Sequence, residues 1–470
     1  MNVLFVTHDG VSHEPLGLEY VSAALLAAGH ETRATTQSAT LAEVASWRPD
    51  FLAFQVLSGD QDRWGSLANE VKIYHPEVKT IFGGPHYLFF SKVAQQHADI
   101  VVRGDGEQSV VDAVEGRPHR DLVPVHDLDD LPHPDRGLLY NHRFPGVRDN
   151  VIRNFIACRG CPYKCTYCYN SNLEWQAMTA GEDRLRYHSP EWIVDDIERT
   201  FKDYGGQLVS FVDDIFGIDI EWLERFSATY QRLRYPFFAQ LRPKLITEDR
   251  VRLLKEAGIH IASFAIESGN EHTRAEILDR KESNELIENA CKLLHRYGIK
   301  FRMQNLLGLP VDDPLADALE TLRFNMKCRP TLSWCSLLQA YPGTAIADHL
   351  VRKGVVKSLE ELTYLVNATF FDECSIPGLR DKKKIERLHK YWSAVVRWPW
   401  LYPAARLLIH LNLGRCLQNW IFDVSKKYIN AREYWRVELG QHVARLNPKQ
   451  HYDRLGGELT HDVGKETCVG

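Results

Sequence analysis

Three cysteines, Cys161, Cys165 and Cys168, lie within Arg159-Gly160-Cys161-Pro162-Tyr163-Lys164-Cys165-Thr166-Tyr167-Cys168 and are the densest set of chemistry-bearing side chains in the sequence. Spaced by three residues and then two, they let a single loop fold three thiolates around one inorganic centre. Carriers that ligate a [4Fe–4S] cluster fully use four cysteines, so three leave one iron open to a substrate or cofactor. A tetrahedral zinc site is the alternative, but zinc ligands usually come as two separated pairs, and the sequence has no second pair. Cys158 still belongs to the preceding strand and reads as a buried thiol. Cys291, Cys328, Cys335, Cys374, Cys416 and Cys468 show no paired spacing, which argues against a second cluster.

Further candidates fall where apolar strands end. Phe211-Val212-Asp213-Asp214-Ile215-Phe216 closes one strand, Arg242 another, and Ile266-Glu267-Ser268-Gly269 a third. Leu307-Gly308-Leu309-Pro310 and Tyr341-Pro342-Gly343-Thr344 close two more, and turn geometry alone is a sufficient reason for their glycines and prolines. A carboxylate such as Glu267 at the end of an apolar strand needs a cationic partner. Arg242 can supply one to Glu267, Asp213 or Asp214.

These residues need a frame, and strand-then-helix repeats supply it. Six begin at Asn154–Cys158, Leu208–Val212, Phe237–Leu241, His260–Ile266, Lys300–Leu306 and Leu332–Leu338, which predicts an open, partial (β/α)6 barrel of the TIM type over 141–350. Barrel enzymes place their sites at the carboxyl ends of the strands, where all these candidates fall. Ser189-Pro190, Thr247 with Gly258, and Asp313-Pro314 are the helix start and stop signals. Before the barrel, apolar strands at Val3–Val6, Phe51–Val56, Thr80–Phe82 and Ile100–Val102 alternate with helical patterns. They predict a flavodoxin-like, doubly wound α/β domain over 1–140, joined through a Pro- and Asp-rich linker, Val123 to Arg136. After about residue 350 the pattern is helical and aromatic-rich, and the last thirty or so residues are polar.

The cysteine loop is the motif of the radical S-adenosylmethionine (SAM) superfamily, and the resemblance spans residues 150 to 345. It implies that Cys161, Cys165 and Cys168 hold the cluster and that the open iron takes the amino and carboxylate groups of SAM. It also puts Tyr167 near the adenine and gives SAM contacts to Glu267, Asp213, Asp214 and to Arg280 of Leu278-Asp279-Arg280, and Arg242 can pair with these carboxylates or with SAM. One electron into SAM then gives methionine and a 5′-deoxyadenosyl radical.

The first domain, with Pro15-Leu16-Gly17-Leu18, Gly83-Gly84-Pro85-His86 and Arg103-Gly104-Asp105-Gly106-Glu107, resembles the cobalamin-binding domain of the B12-dependent radical SAM class. That implies cobalamin near Leu57-Ser58-Gly59, Gly83, Gly84, Gly104 and Glu107. The Asp-x-His-x-x-Gly signature of an axial histidine is missing, because Asp9 and His13 have the wrong spacing. His86 in its turn reads as a polar loop contact rather than a cobalt ligand. By the resemblance, a methyl group passes from SAM to cobalt, the radical takes a hydrogen from an unactivated carbon, and that carbon collects the methyl.

Composition bounds the alternatives. A net charge of -5 from 57 basic and 62 acidic residues leaves no basic field for nucleic acid. Met1 to Val6 reads as a buried strand rather than a signal peptide, so a cytoplasmic location is expected, with a low-potential donor such as flavodoxin or ferredoxin as partner. The leading expectation is a C-methyltransferase acting on a small molecule. An oxidative cyclase or rearrangement enzyme of the same architecture is the nearest rival, and a non-enzymatic iron–sulfur carrier or corrinoid sensor the more distant one. A tRNA methylthiotransferase would carry cysteines in its first domain, and none precedes Cys158. Tyr391 to Trp435 joins Trp392, Trp398, Trp400, Trp420 and Trp435 to an apolar stripe, Leu401, Ala405, Leu408, Leu411, Leu417, Trp420, Ile421 and Val424. Such a segment reads first as a lid on the barrel and second as a peripheral membrane contact.

Overall fold

Five parallel strands, β1 (Asn2–Thr7), β2 (Glu31–Thr36), β3 (Phe51–Gln55), β4 (Lys79–Gly83) and β5 (Ile100–Val101), lie in the order β2-β1-β3-β4-β5. The computed structural model describes residues 1–11, 14–90, 98–119, 121–171, 175, 179, 184–359, 361–362 and 373–433. The central strands β1 and β3 are near-continuous apolar runs because both faces are covered. Val3, Phe5, Ala53 and Ile81 pack with Leu18, Leu25, Val110 and Val114 of helices Leu16–Ala27 and Gly106–Val114. Leu4, Val6, Leu52, Phe54 and Phe82 pack with Val44, Trp64, Leu67 and Val71 of helices Thr40–Trp47 and Gln61–Tyr74. The sequence reading omitted β2, whose Glu-Thr-Arg-Ala-Thr-Thr looks polar because it is an edge strand paired only to β1. The strand order reverses between β1 and β3, the place where such sheets open a ligand crevice.

By its contacts the chain divides into two units. The first is Met1–Tyr163 with Cys168–Gly206 and Tyr341–Thr344, and the second is Lys164–Tyr167 with Gln207–Ala340 and Ala345–Gly470. In the first unit the stretch read as a linker ends in a buried clasp. Arg136 stacks over Phe155 at 4.8 Å, pairs with Glu14, and reaches Glu19 at 3.2 Å and Asp196 at 3.3 Å. Tyr140 donates to the same Glu14 at 2.6 Å. Strand β6 (Ile152–Phe155) and the short antiparallel pair β7 (Cys158–Arg159) and β8 (Arg186–Tyr187) follow in this unit, and Cys158 is the buried thiol expected.

The other barrel strands, β9 (Leu208–Phe211), β10 (Phe237–Leu241), β11 (Ile259–Glu267), β12 (Lys300–Leu307) and β13 (Leu332–Leu337), are adjacent in chain order and parallel in the second unit. Two of the three helix starts read from the sequence carry side-chain caps, whereas Thr247 at the third makes no side-chain cap hydrogen bond. Ser189 Oγ accepts from Trp192 N at 3.2 Å, and Asp313 Oδ1 from Ala316 N at 2.9 Å. Gly258, at φ +97°, ends helix Glu248–Ala257 in the left-handed conformation that costs glycine least.

The C-terminal segment divides the aromatic stripe in two. Trp392 of helix Lys382–Arg397 is fully buried among Leu337, Leu338 and Leu388, and its Nε1 donates to Ser333 Oγ at 2.7 Å. Leu401, Ala405 and Leu408 pack against this core. Leu411, Leu417, Trp420 and Val424 instead face solvent, although the stripe placed them on the same buried side. Trp435 and the polar tail lie outside the described residues. No helix among the described residues is long and apolar enough to cross a membrane.

Candidate active site

Glu267 ends β11 on a bulge, where pairing with β12 shifts register between Ala265 and Glu267. Its φ of +67° is one that non-glycine residues avoid, and such strain gathers at functional sites. The carboxylate is 7% exposed and accepts a 2.5 Å hydrogen bond from Tyr167 Oη. Burial pushes its pKa up, against Arg280, the Tyr167 bond and Arg242. Burial likewise drives the Tyr167 hydroxyl far above the ordinary tyrosine range, and the neighbouring Glu267 charge adds to it.

Two arginines join this pair to the cysteine loop. Arg280 Nη1 is 3.3 Å from Tyr167 Oη and 3.7 Å from Cys165 Sγ, while Nη2 donates to the Ala265 carbonyl. Arg242, just beyond β10, places Nη1 3.5 Å from the same sulfur. Its Nε and Nη2 clasp the two oxygens of Glu282. Burial would raise Glu282, but the Arg242 hydrogen bond and the nearby Arg280 charge hold it below the usual carboxylate range.

The sequence reading named Tyr167, Arg242, Glu267 and Arg280, and the fold gathers them around Cys165. It missed Glu282, and it missed Arg274, which is fully buried and fixes the Glu282 carbonyl (Nε at 3.1 Å, Nη2 at 2.9 Å) and the Ser268 carbonyl (2.6 Å). The alternation Arg280-Lys281-Glu282 before a Ser283-capped helix was the available signal for Glu282. Asp213, buried, and Asp214, half-buried, occupy the loop after β9, the strand next to β10. Cys161 and Cys168 are half-buried, Cys165 is buried, and none of the three is in a disulfide.

In the first unit the candidates line the carboxyl edge of the sheet. Ser58 Oγ and His86 Nδ1 are 3.1 Å apart beside Leu57, which is 46% exposed. His86 is buried, its Nε2 has no hydrogen-bond partner among the described residues, and burial pushes its pKa down to about 4. After Gly83, Gly84 has φ +101°, and a Cβ there would stand 2.9 Å from the Val56 backbone. Gly104 packs equally tightly, its would-be Cβ 3.1 Å from Leu122 Cα. Glu107 Oε1 accepts from Arg159 Nη2 at 2.6 Å, beside the Arg159–Asp105 pair at 3.3 Å, while its buried Oε2 has no hydrogen-bond partner among the described residues. Asp9 accepts from the Ser38 backbone and hydroxyl, and His13 lies outside the described residues.

The family described as Radical SAM superfamily matches residues 155–324, and the B12 binding domain matches residues 3–114. An uncharacterized methyltransferase of Pyrococcus horikoshii is 23% identical, over 76% of this chain and 82% of its own length. The hopanoid C-3 methylase of Methylococcus capsulatus is 27% identical, over 54% of this chain and 53% of its own. Among solved structures, the radical SAM methyltransferase TsrM of Kitasatospora setae, with cobalamin and a [4Fe-4S] cluster bound, superposes with a TM-score of 0.59 at 17% identity. The match covers 75% of this chain and 78% of that one.

The Radical SAM superfamily match implies a [4Fe–4S] cluster and SAM, and the B12 binding domain match implies cobalamin. The residues present suit them. Three cysteines outside any disulfide, with guanidinium donors 3.5 and 3.7 Å from Cys165 Sγ, are the soft donor set a cluster takes. Among the described residues no group of three or more His, Cys, Asp and Glu side chains is gathered to hold a single metal ion, so the fit rests on that donor set. At the sheet edge, an exposed leucine and a buried imidazole nitrogen without a partner suit a large flat cofactor with apolar and polar edges.

Proposed function

As a radical SAM enzyme with a B12-binding domain, this chain, we propose, methylates an unactivated carbon of a small molecule. One observation carries the reading: Cys165 Sγ lies 3.5 Å from Arg242 and 3.7 Å from Arg280, and Arg280 continues into the Tyr167–Glu267 pair. The sulfur of a cluster loop and the groups suited to SAM thus form one connected site. The methyltransferase names of the relatives, one of them acting on a hopanoid, support methyl transfer to carbon.

Cys161, Cys165 and Cys168 hold the cluster, and Leu57, Ser58, Gly83 and Gly84 form the seat of cobalamin, with Gly104 and Glu107 shaping the neighbouring turn. So loaded, the chain has one-electron cleavage of SAM to methionine and a 5′-deoxyadenosyl radical, and a methyl carrier for the acceptor carbon. Glu267 meets the SAM ammonium, and burial makes that contact strong by removing competing water. Tyr167 keeps its proton on the bond to Glu267 and fixes the carboxylate's rotamer. Arg280 braces Tyr167, and Asp213 and Asp214 contact SAM from the end of β9, two strands away. The electron comes from a low-potential flavodoxin or ferredoxin in a reducing, cytoplasmic setting. Trp400 and Trp420, 76% and 61% exposed, with Leu411, Leu417 and Val424, give the C-terminal helices an apolar face for peripheral membrane contact.

The test is anaerobic reconstitution with iron, sulfide and hydroxocobalamin, followed by the visible spectrum and SAM cleavage under a low-potential reductant. About one cobalamin per chain with 5′-deoxyadenosine formation supports the reading. SAM cleavage without cobalamin retention overturns methyl transfer in favour of cyclisation or rearrangement, and failure to assemble a cluster sinks the radical reading.

A further inference from the structure

We infer that Arg242, held by Glu282, is a positioning residue that sets the reduction potential of the cluster by donating to Cys165 Sγ. The inference rests on the cluster reading above and is independent of methyl transfer. A guanidinium presents its donors on separate edges of one plane. Glu282 occupies the edge made by Nε and Nη2, with Nη2 at 3.2 Å from Oε2, and this leaves Nη1 directed at the sulfur at 3.5 Å. The carboxylate is fixed in turn from below, because Arg274 grips its backbone carbonyl through Nε at 3.1 Å and Nη2 at 2.9 Å. Arg274 is anchored to the Ser268 carbonyl at 2.6 Å. Arg242 and Glu282 are 6% and 7% exposed, so solvent screens little of their effect.

A hydrogen bond to a ligating sulfur withdraws electron density from the cluster. It therefore stabilises the reduced, more negative form and raises the potential. The step concerned is transfer of one electron from the low-potential donor to the oxidised cluster, with no bond made or broken. Glu282 acts in the other sense, since its charge offsets that of Arg242. The pair holds the potential between the values that a bare arginine and no arginine would give.

The experiment is a redox titration of the reconstituted full-length protein, without SAM or substrate, followed by the electron-paramagnetic signal of the reduced cluster. At a fixed potential, Arg242→Gln should lower the ratio of reduced to oxidised cluster at least tenfold, a downward shift of about 59 mV for one electron. Arg242→Lys should recover part of it. Glu282→Gln keeps an oxygen acceptor for Arg242 but loses the charge, and should move the ratio upward. A general loosening of the site would move both variants the same way or release iron. Opposite shifts at full iron and sulfide content support the inference. Shifts in one direction, or an Arg242→Gln ratio within twofold of the parent, overturn it. If Arg242→Gln fails to retain iron, Glu282→Gln decides alone, and an unmoved or lowered ratio counts against the inference. A parent chain that assembles no cluster would instead defeat the reading on which it rests.

Discussion

Two buried ion networks, one in each unit, are built from the same side chains with opposite balance. The clasp of the first unit sets one guanidinium, Arg136, against Glu14, Glu19 and Asp196. The network of the second unit sets Arg242, Arg274 and Arg280 against Glu267 and Glu282. The clasp resolves its negative excess internally, since burial and the adjacent Glu14 push Glu19 well above the ordinary range and so favour its neutral form. The second network turns two of its guanidiniums, Arg242 and Arg280, toward Cys165 sulfur. A network that closes on itself serves stability, whereas one with charge directed outward is suited to receiving a ligand.

The largest effect should come from removing the thiols of the cysteine loop, of which Cys165 faces the second network. Replacing Cys161, Cys165 or Cys168 with Ala should abolish cluster assembly and SAM cleavage while leaving the unfolding midpoint within a few degrees, as read by iron content and thermal melting. Removing the one cation of the clasp should do the reverse. Arg136→Met leaves buried carboxylates uncompensated and should cost about 3–5 kcal/mol in denaturant unfolding, with iron content intact. Glu19→Gln, which mimics the form the site favours, should be nearly neutral, and a large loss there would show that the clasp needs Glu19 charged.

The first unit also carries a pH dependence. Burial lowers His86 to about 4, and burial with Arg159 lowers His188 to about 4. A histidine whose folded pKa is depressed stabilises the fold above its unfolded value of about 6.5 and loses that contribution as pH falls toward 4. Each should contribute about 3 kcal/mol over that window. Unfolding titrations from pH 7 to 4 should show the decline, and His86→Gln and His188→Asn should each flatten it. Equal slopes in parent and variants would place the acid sensitivity elsewhere.

Tyr167→Phe removes the 2.5 Å bond to a buried carboxyl and should weaken SAM binding about tenfold or more, as expected for a charge-assisted hydrogen bond. Calorimetry with SAM on the reconstituted protein checks it, and unchanged affinity would detach Tyr167–Glu267 from SAM. The smallest effect on stability should follow Trp400→Ser with Trp420→Ser, within about 0.5 kcal/mol because both are surface residues. The double variant should lose sedimentation with vesicles containing anionic lipid, and the absence of vesicle binding by the parent would remove the membrane contact.

The sequence by itself determined the order of strands and helices, the cysteine loop and the strand-end candidates, because apolar period, helix caps and close cysteine spacing are local signals. Five barrel-type strands appeared within a residue or two of their predicted bounds, while the first fell slightly earlier, at Ile152–Phe155. Edge strand β2 was hidden because a half-exposed strand need not be apolar. Tertiary structure alone decided that Arg136 is a clasp rather than linker, and that Trp392 is core while Trp420 is surface. It alone decided, too, that Arg242, held by Glu282, reaches Cys165. Those outcomes depend on which side chains meet across 40 to 122 positions of chain, and long-range charge pairing leaves no periodic trace in a sequence.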